Sequence, residues 1–438
     1  MKQFYAALLA ILPYPCIAQT QPLPDTRTKQ ALVDSLSHAL NHYYVYPDKA
    51  DGMSRHIAQQ LRNNRYDSAS SAAELANQLN KDLRTIYNDK HLVIRFDPDL
   101  QKRIIAFNTT KRSDPADQQR EQRQNYFFRK LEILPSNIGY LEFTNFADTS
   151  AAARKTIRAA LQFLEHTDAI IIDLRNNYGG NGILAGEFAG FFFDKKIFGG
   201  RSYNRLTNQW TDQWLQNNPA VTQGLYMNMP IYLLTSHRTF SAAEGLAYTL
   251  QTLRKATVVG DTTRGGAHLT RSFSLGNGFV GFIPFTRHEN AVTHTDWEGT
   301  GVLPDVYASE NNSLPQAQKL ILQRQLTTTT HENEQRKIQW QINYLTAQQP
   351  AWTPTANELK TLAGEFEEFV FLVRDGQLVC VNKHQSNQTN RLVSIERNLF
   401  QVNASMQVAF FVNDQGLADT VKLYWNDGWV DTIKRTGP

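Results

Sequence analysis

From Asp25 to about Asn88 apolar residues recur at three- and four-residue spacing, in TKQALVDSLSHALNHYY, in the stretch after the YPDKADG turn and in SAAELANQLNKDLRTIY. That period places one face of a helix out of water, so the pattern predicts an N-terminal helical domain over 25–95. Ser71 and Glu74 fit the S-x-x-E box that opens a helix. At NDKHLVIRFDP the rhythm changes to strand alternation. The mixed-charge run KRSDPADQQREQR, at 111–123, then predicts a solvated, mobile connection within 96–136. From Ile138 the short β-branched runs IGYLEF, AIIIDL, PIYLLTS and ATVVG alternate with amphipathic stretches, which predicts βαβ units. The expected fold class is α/β, with a mainly parallel sheet in a core over 137–308. Two polar helices follow within 309–350, and PAWTP reads as a linker. The tail over 355–438 alternates apolar and polar residues between DG and NDQG turns, predicting a small antiparallel β domain.

Composition adds limits. The chain has 438 residues, 41% hydrophobic and 20% charged, enough for two or three domains with cores of their own. Its first residues, MKQFYAALLAILPYPCIAQT, combine a lysine, an apolar run from Phe4 to Leu12 and a small-residue site at Ala18. They read as a secretory signal peptide over 1–18, and the protein is expected to be exported to the periplasm or the exterior. Pro15 before Cys16 argues against a lipidated cysteine. No later run approaches the ~18 apolar residues of a membrane span, so stable membrane insertion is not expected. Once Ala18 is the cleavage point, Cys380 has no internal disulfide partner. The formal charge of +4 is spread without a basic block, which gives nucleic acid nothing to bind. The 11 histidines show no H-E-x-x-H or H-x-x-E-H spacing, so neither metal nor other cofactor is expected.

In open parallel sheets ligands lie beyond the carboxyl ends of the strands, which directs attention to the loops after Leu174 and Thr235. The first, DLRNNYGGNG, holds a glycine pair able to aim backbone amides at an anion or a developing oxyanion; glycines at such a turn also serve tight geometry alone. The second contains Ser241-Ala242-Ala243-Glu244, again an S-x-x-E box. Ser241 there is a helix cap, or a nucleophile served by the free amides of the first turn. The residues alone leave both readings open.

Three segments in this order, DLRNNYGGN, TSHRTFSAAEGLAYTLQTLRKATVVGDTTRGGAH and WEGTGVLPDV, resemble the catalytic domain of the tail-specific (C-terminal processing) serine proteases. They are most similar to the branch of the tricorn protease core and the interphotoreceptor retinoid-binding protein repeats. YVYPDKADGMSRHIAQQLRNNRY and ELANQLNKDLRTIYNDKHLVIRF resemble that branch's N-terminal helical segment. The resemblance covers about residues 30–308 and implies a crotonase/ClpP-like core. It makes Ser241 the nucleophile and the amides of Ala242 and Gly180 an oxyanion hole. The lysine that many members carry in the following turn is absent from TTRGGAH, so a Ser-Lys dyad is not implied, and Lys255 reads as a solvated charge. His91 in NDKHL and Glu298 in WEGTGV match the tricorn branch's base and carboxylate. His268 is the alternative base, and Arg264 could bind a substrate carboxylate. Between His91 and Ile138 there are 46 residues, too few for the peptide-binding PDZ domain of typical members, which needs about 80. The implied activity is endopeptidase cleavage of peptides or unfolded protein through an acyl-enzyme. The alternative is a non-catalytic carrier of apolar, retinoid- or fatty-acid-like molecules.

Overall fold

The computed structural model describes residues 24–110, 115–350, 352–385 and 389–437. The expected signal peptide lies outside them. No helix among the described residues is long and apolar enough to cross a membrane. The chain divides into two compact units. One comprises the residues up to Asp117 with Ser202–Thr211 and His268–His288; the other comprises Gln118–Arg201, Asp212–Ala267 and the residues from Glu289 on. Residues 202–211 and 268–288, expected inside one continuous core over 137–308, thus fold with the N-terminal helices.

The first unit is built on the helices Thr26–Tyr43, Pro47–Arg62 and Ala72–Ile86. Their apolar stripes, with Leu32, Leu36, Leu40, Met53, Ile57, Leu75 and Leu79, close on one core. Strand Val93–Phe96 pairs antiparallel with Phe279–Phe282, and Leu269–Gly276 pairs with the same long strand through a tight turn at Asn277-Gly278. Both turn residues have positive φ, 49° and 83°, as the twist-matched two-residue hairpin requires. Leu275, Phe279 and Ile283 from this hairpin complete the helical core. Residues 96–136, expected as a connection, contain the helices Pro98–Thr110 and Pro115–Arg123 and the strand Phe128–Leu134.

The second unit is organised by a six-stranded sheet in the order Val306–Tyr307, Ala256–Gly260, Ile231–Thr235, Ala169–Asp173, Ile138–Phe143, Phe128–Leu134. All neighbours run parallel except the last pair. Both faces are covered, and the two-residue period of a strand sorts the side chains between them. Ile170, Ile172, Ile231 and Leu233 meet the helices Ala151–Phe163, Gly182–Gly190 and Ala242–Thr252. Ile171, Ala169, Tyr232 and Leu234 meet Ala317, Ile321, Leu322, Ile338 and Leu345 of Glu310–Thr328 and Glu332–Ala347. The two polar helices expected within 309–350 therefore form the second cover of the sheet.

The tail is a nine-stranded antiparallel sheet whose terminal strands in the pairing order are Thr389–Arg391 and Val393–Glu396. Leu392 alone separates those two strands in the chain, so the sheet curls back on itself around Phe366, Phe371, Phe400 and Phe410. The inner face of the curled sheet is filled by its own side chains. Cys380 sits in that core, and burial pushes its thiol up to about 12. Helix Glu332–Ala347 ties the tail to the core sheet: Trp340 Nε1 donates to Tyr424 O at 3.2 Å, and buried Gln407 donates to Trp340 O at 2.9 Å.

Candidate active site

The two loops singled out by the strand order are joined at the carboxyl edge of the parallel sheet in the second unit. Thr239 Oγ1 donates to Leu174 O at 2.7 Å, Ser236 Oγ to Arg175 O at 2.7 Å, and Phe240 N to Asn177 O at 3.0 Å. Asn177, fully buried, also accepts the Gly179 amide at 2.9 Å through its side chain. The strands end here because their apolar runs end. The exposed backbone is then satisfied by short polar side chains rather than by a ladder.

Ser241 stands at the start of helix Ala242–Thr252 with φ 56° and ψ −121°. This is a left-handed conformation, sparsely populated for a residue with a Cβ, and its cost is about 1–3 kcal/mol. Two contacts hold it. A Cβ added to Gly179 would lie 2.7 Å from Ser241 Cβ and 3.0 Å from Ala242 N, so the loop 173–182 presses directly on the serine and only glycine fits. The Ser241 amide donates to the Glu244 carboxylate at 2.8 Å.

Glu244 has 0% exposure and gathers the neighbouring loop as well. It accepts from Thr263 Oγ1 at 2.5 Å, Gly265 N at 2.5 Å and Gly266 N at 2.9 Å. Burial raises its pKa, and these donors oppose the shift only in part. Its place in the S-x-x-E pattern signals a cap; its second role, as the pin for TTRGGA, has no signal in local sequence.

Gly180 follows with φ 116°; its α-carbon faces the Phe146 backbone, and its residue is exposed where Gly179 is buried. Among the described residues neither the Gly180 nor the Ala242 amide has a protein acceptor. Two donors at a helix start beside a half-buried serine are the chemical requirement for holding an oxyanion.

Glu298 belongs to the same unit. Trp297 inserts beside the serine helix, its ring within 3.2 Å of where a Gly245 Cβ would lie, and Nε1 donates to Gly266 O at 2.9 Å. This seats Glu298 so that it accepts the Ala267 amide at 2.6 Å. Arg264 lies over the Phe240 ring at 4.9 Å, and Lys255, read from sequence as a solvated charge, is half-buried over Phe193 at 5.4 Å.

His91 and His268 lie in the first unit. His91 occupies the turn between helix Ala72–Ile86 and strand Val93–Phe96 and is half-buried. His268 is 2% exposed, with Nδ1 2.7 Å from Oδ2 of Asp89. Asp89, two residues before His91, was not among the residues marked by sequence; its spacing from His91 is the signal available.

Residues 137–308 match Peptidase family S41, and residues 17–129 match the N-terminal domain of Peptidase_S41 in eukaryotic IRBP. The chain is similar to the chloroplastic carboxyl-terminal-processing peptidase 2 of Arabidopsis thaliana, 30% identical over 170 residues that cover 38% of this chain and 31% of that protein. It is likewise similar to the carboxyl-terminal-processing protease of Synechocystis sp., 30% identical over 171 residues covering 39% of this chain and 37% of that one. These matches span about a third of the length of the curated relatives. The solved structure of a lipoprotein from Streptococcus agalactiae aligns with TM-score 0.46 at 17% identity, covering 70% of this chain and 99% of that chain.

Proposed function

Given that the chain belongs to peptidase family S41, we propose that it is an exported serine endopeptidase that cleaves peptides or unfolded protein, with Ser241 as nucleophile and His91 as base. The carrying observation is the conformation of Ser241: φ 56° at a helix start, held by Gly179 and Glu244, supports the reading of a nucleophile presented on a strained strand-to-helix turn. An ordinary cap has no need of it.

In this reading Ser241 Oγ attacks the scissile carbonyl carbon while His91 takes the hydroxyl proton. The oxygen that gains charge is met by the amides of Ala242 and Gly180. Collapse breaks the C–N bond, His91 returns the proton to the leaving amine, and water then hydrolyses the acyl-enzyme by the same route. Glu298, held by the Ala267 amide, serves as the fixed carboxylate of the site. Export through cleavage after Ala18 is part of the proposal, and the secreted chain would begin at Gln19.

Replacing Ser241 with alanine should abolish turnover of a peptide mixture and leave Tm nearly unchanged, and a fluorophosphonate should label Ser241 in the parent chain. Turnover that survives in Ser241→Ala would sink the assignment. Absent labelling together with saturable fatty-acid or retinoid binding would support the carrier instead.

A further inference from the structure

Asp89 is 0% exposed, and its two oxygens face different tasks. Oδ2 receives the Tyr44 hydroxyl at 2.8 Å and stands 2.7 Å from His268 Nδ1. Oδ1 accepts the backbone amide of His91 at 2.9 Å. Tyr44 is itself fully buried at the end of the first helix, and the Tyr46 ring packs edge-on against His268 at 5.5 Å. Burial alone would raise the Asp89 pKa, but the hydrogen bonds and charge of His268 and the Tyr44 hydroxyl hold it below the ordinary carboxylate value. An ionised carboxylate is thus braced on one side by the core and on the other by the Lys90–His91 turn.

Resting on the reading of His91 as base, we propose that Asp89, braced by Tyr44 and His268, is a positioning residue that fixes the backbone of the His91 turn and thereby aims the imidazole. A side chain that only completed a core would not need an oxygen reserved for the amide of the residue that performs proton transfer. Misplacement of a reacting group by about 1 Å costs on the order of a hundredfold in rate, so the bracing has a measurable consequence.

The test is a double-mutant cycle read in kcat and KM on a peptide substrate. Asp89→Asn is expected to lower kcat about a hundredfold with KM unchanged, and to cost nothing further in a His91→Ala background, because its effect runs through His91. The acid limb of the kcat/KM profile should also move to lower pH, since a negative charge that favours the imidazolium has been removed. In Asp89→Asn, Tyr44 and His268 beside Asp89, Tyr46 against His268, and Lys90 next in the chain stay unaltered; His288, held down to about 4 by burial and by His268, does not titrate in that range. Leu79→Ala, which destabilises the same core, should leave the profile in place. Tyr44→Phe, which removes one brace from Oδ2 and keeps the shape, should show the same non-additivity with a smaller loss. Additive losses in the double variants would overturn the positioning role while leaving His91 as base. Full activity in His91→Ala would instead overturn the underlying reading.

Discussion

The same four-residue pattern, S-x-x-E, opens a helix in each unit, and the two outcomes differ in backbone, burial and charge. At Ser71 the backbone is extended, φ −155° and ψ 164°, and the hydroxyl accepts the Glu74 amide at 3.1 Å, an ordinary cap. Glu74 remains at the surface and takes the Ser70 amide at 2.6 Å. Ser150, without a glutamate, caps its helix in the same extended way. At Ser241 the backbone is left-handed, the glutamate is buried, and four donors from two chain segments converge on it. The motif therefore marks where a helix starts. Whether the serine backbone is extended or left-handed is decided by what packs against it.

The largest test of this contrast is removal of the glutamates. Glu244→Ala strands buried donors at Ser241, Thr263, Gly265 and Gly266, and should cost about 3–5 kcal/mol in urea unfolding together with loss of fluorophosphonate labelling. Glu74→Ala should shift the urea midpoint only slightly and leave labelling intact. Next, Gly179→Ala would force a side chain against Ser241 at φ 97°, with a stability loss of about 2–3 kcal/mol and about a hundredfold loss of peptidase rate. A smaller effect of opposite sign is expected from Ser241→Gly: relief of the left-handed strain should stabilise the inactive chain by about 1 kcal/mol. Ser71→Gly, at an extended cap, should lose a few tenths. A stabilised Ser71→Gly or a destabilised Ser241→Gly would erase the distinction.

The smallest effect is electrostatic and also opposite in sign between the two boxes. The Ser70 hydroxyl and amide hold Glu74 below its ordinary 4.5, whereas burial holds Glu244 above 4.5. Glu74 thus adds stability that is present above 4.5 and lost as pH falls through its folded value. The Glu244 contribution is present below 4.5 and lost as pH rises through its folded value. Carboxyl carbon titration by NMR should place the two midpoints on opposite sides of 4.5.

The legible parts of the fold share one property, that their signal is local. AIIID and IYLLT read as strands buried on both faces because four residues in a row, AIII and IYLL, carry no charge and little polarity, and both are central strands of the parallel sheet. The DG turns of the tail mark hairpins because only a few residue types tolerate their dihedrals. The Asn277-Gly278 turn carries the same mark, and a reading of 137–308 as one continuous core passes over it. The less legible parts depend on contacts across long separations. His268 follows Gly266 by two residues, yet its partner Asp89 is 179 positions away. Glu244 could be read as a cap from Ser241, but its hold on Gly265 and Gly266 requires the folded loop.

Sequence by itself determined the N-terminal helices, the alternation of the parallel strands with helices, the two turns at the carboxyl edge of the sheet, the antiparallel tail and the peptidase resemblance, because periodicity and turn chemistry act over a few residues. Only the tertiary structure decided that 202–211 and 268–288 join the N-terminal helices, that the tail sheet curls back on itself at Leu392, and that Ser241 is held left-handed. Those outcomes are set by packing and buried hydrogen bonds between distant segments, whose energy exists only once the chain has brought them together.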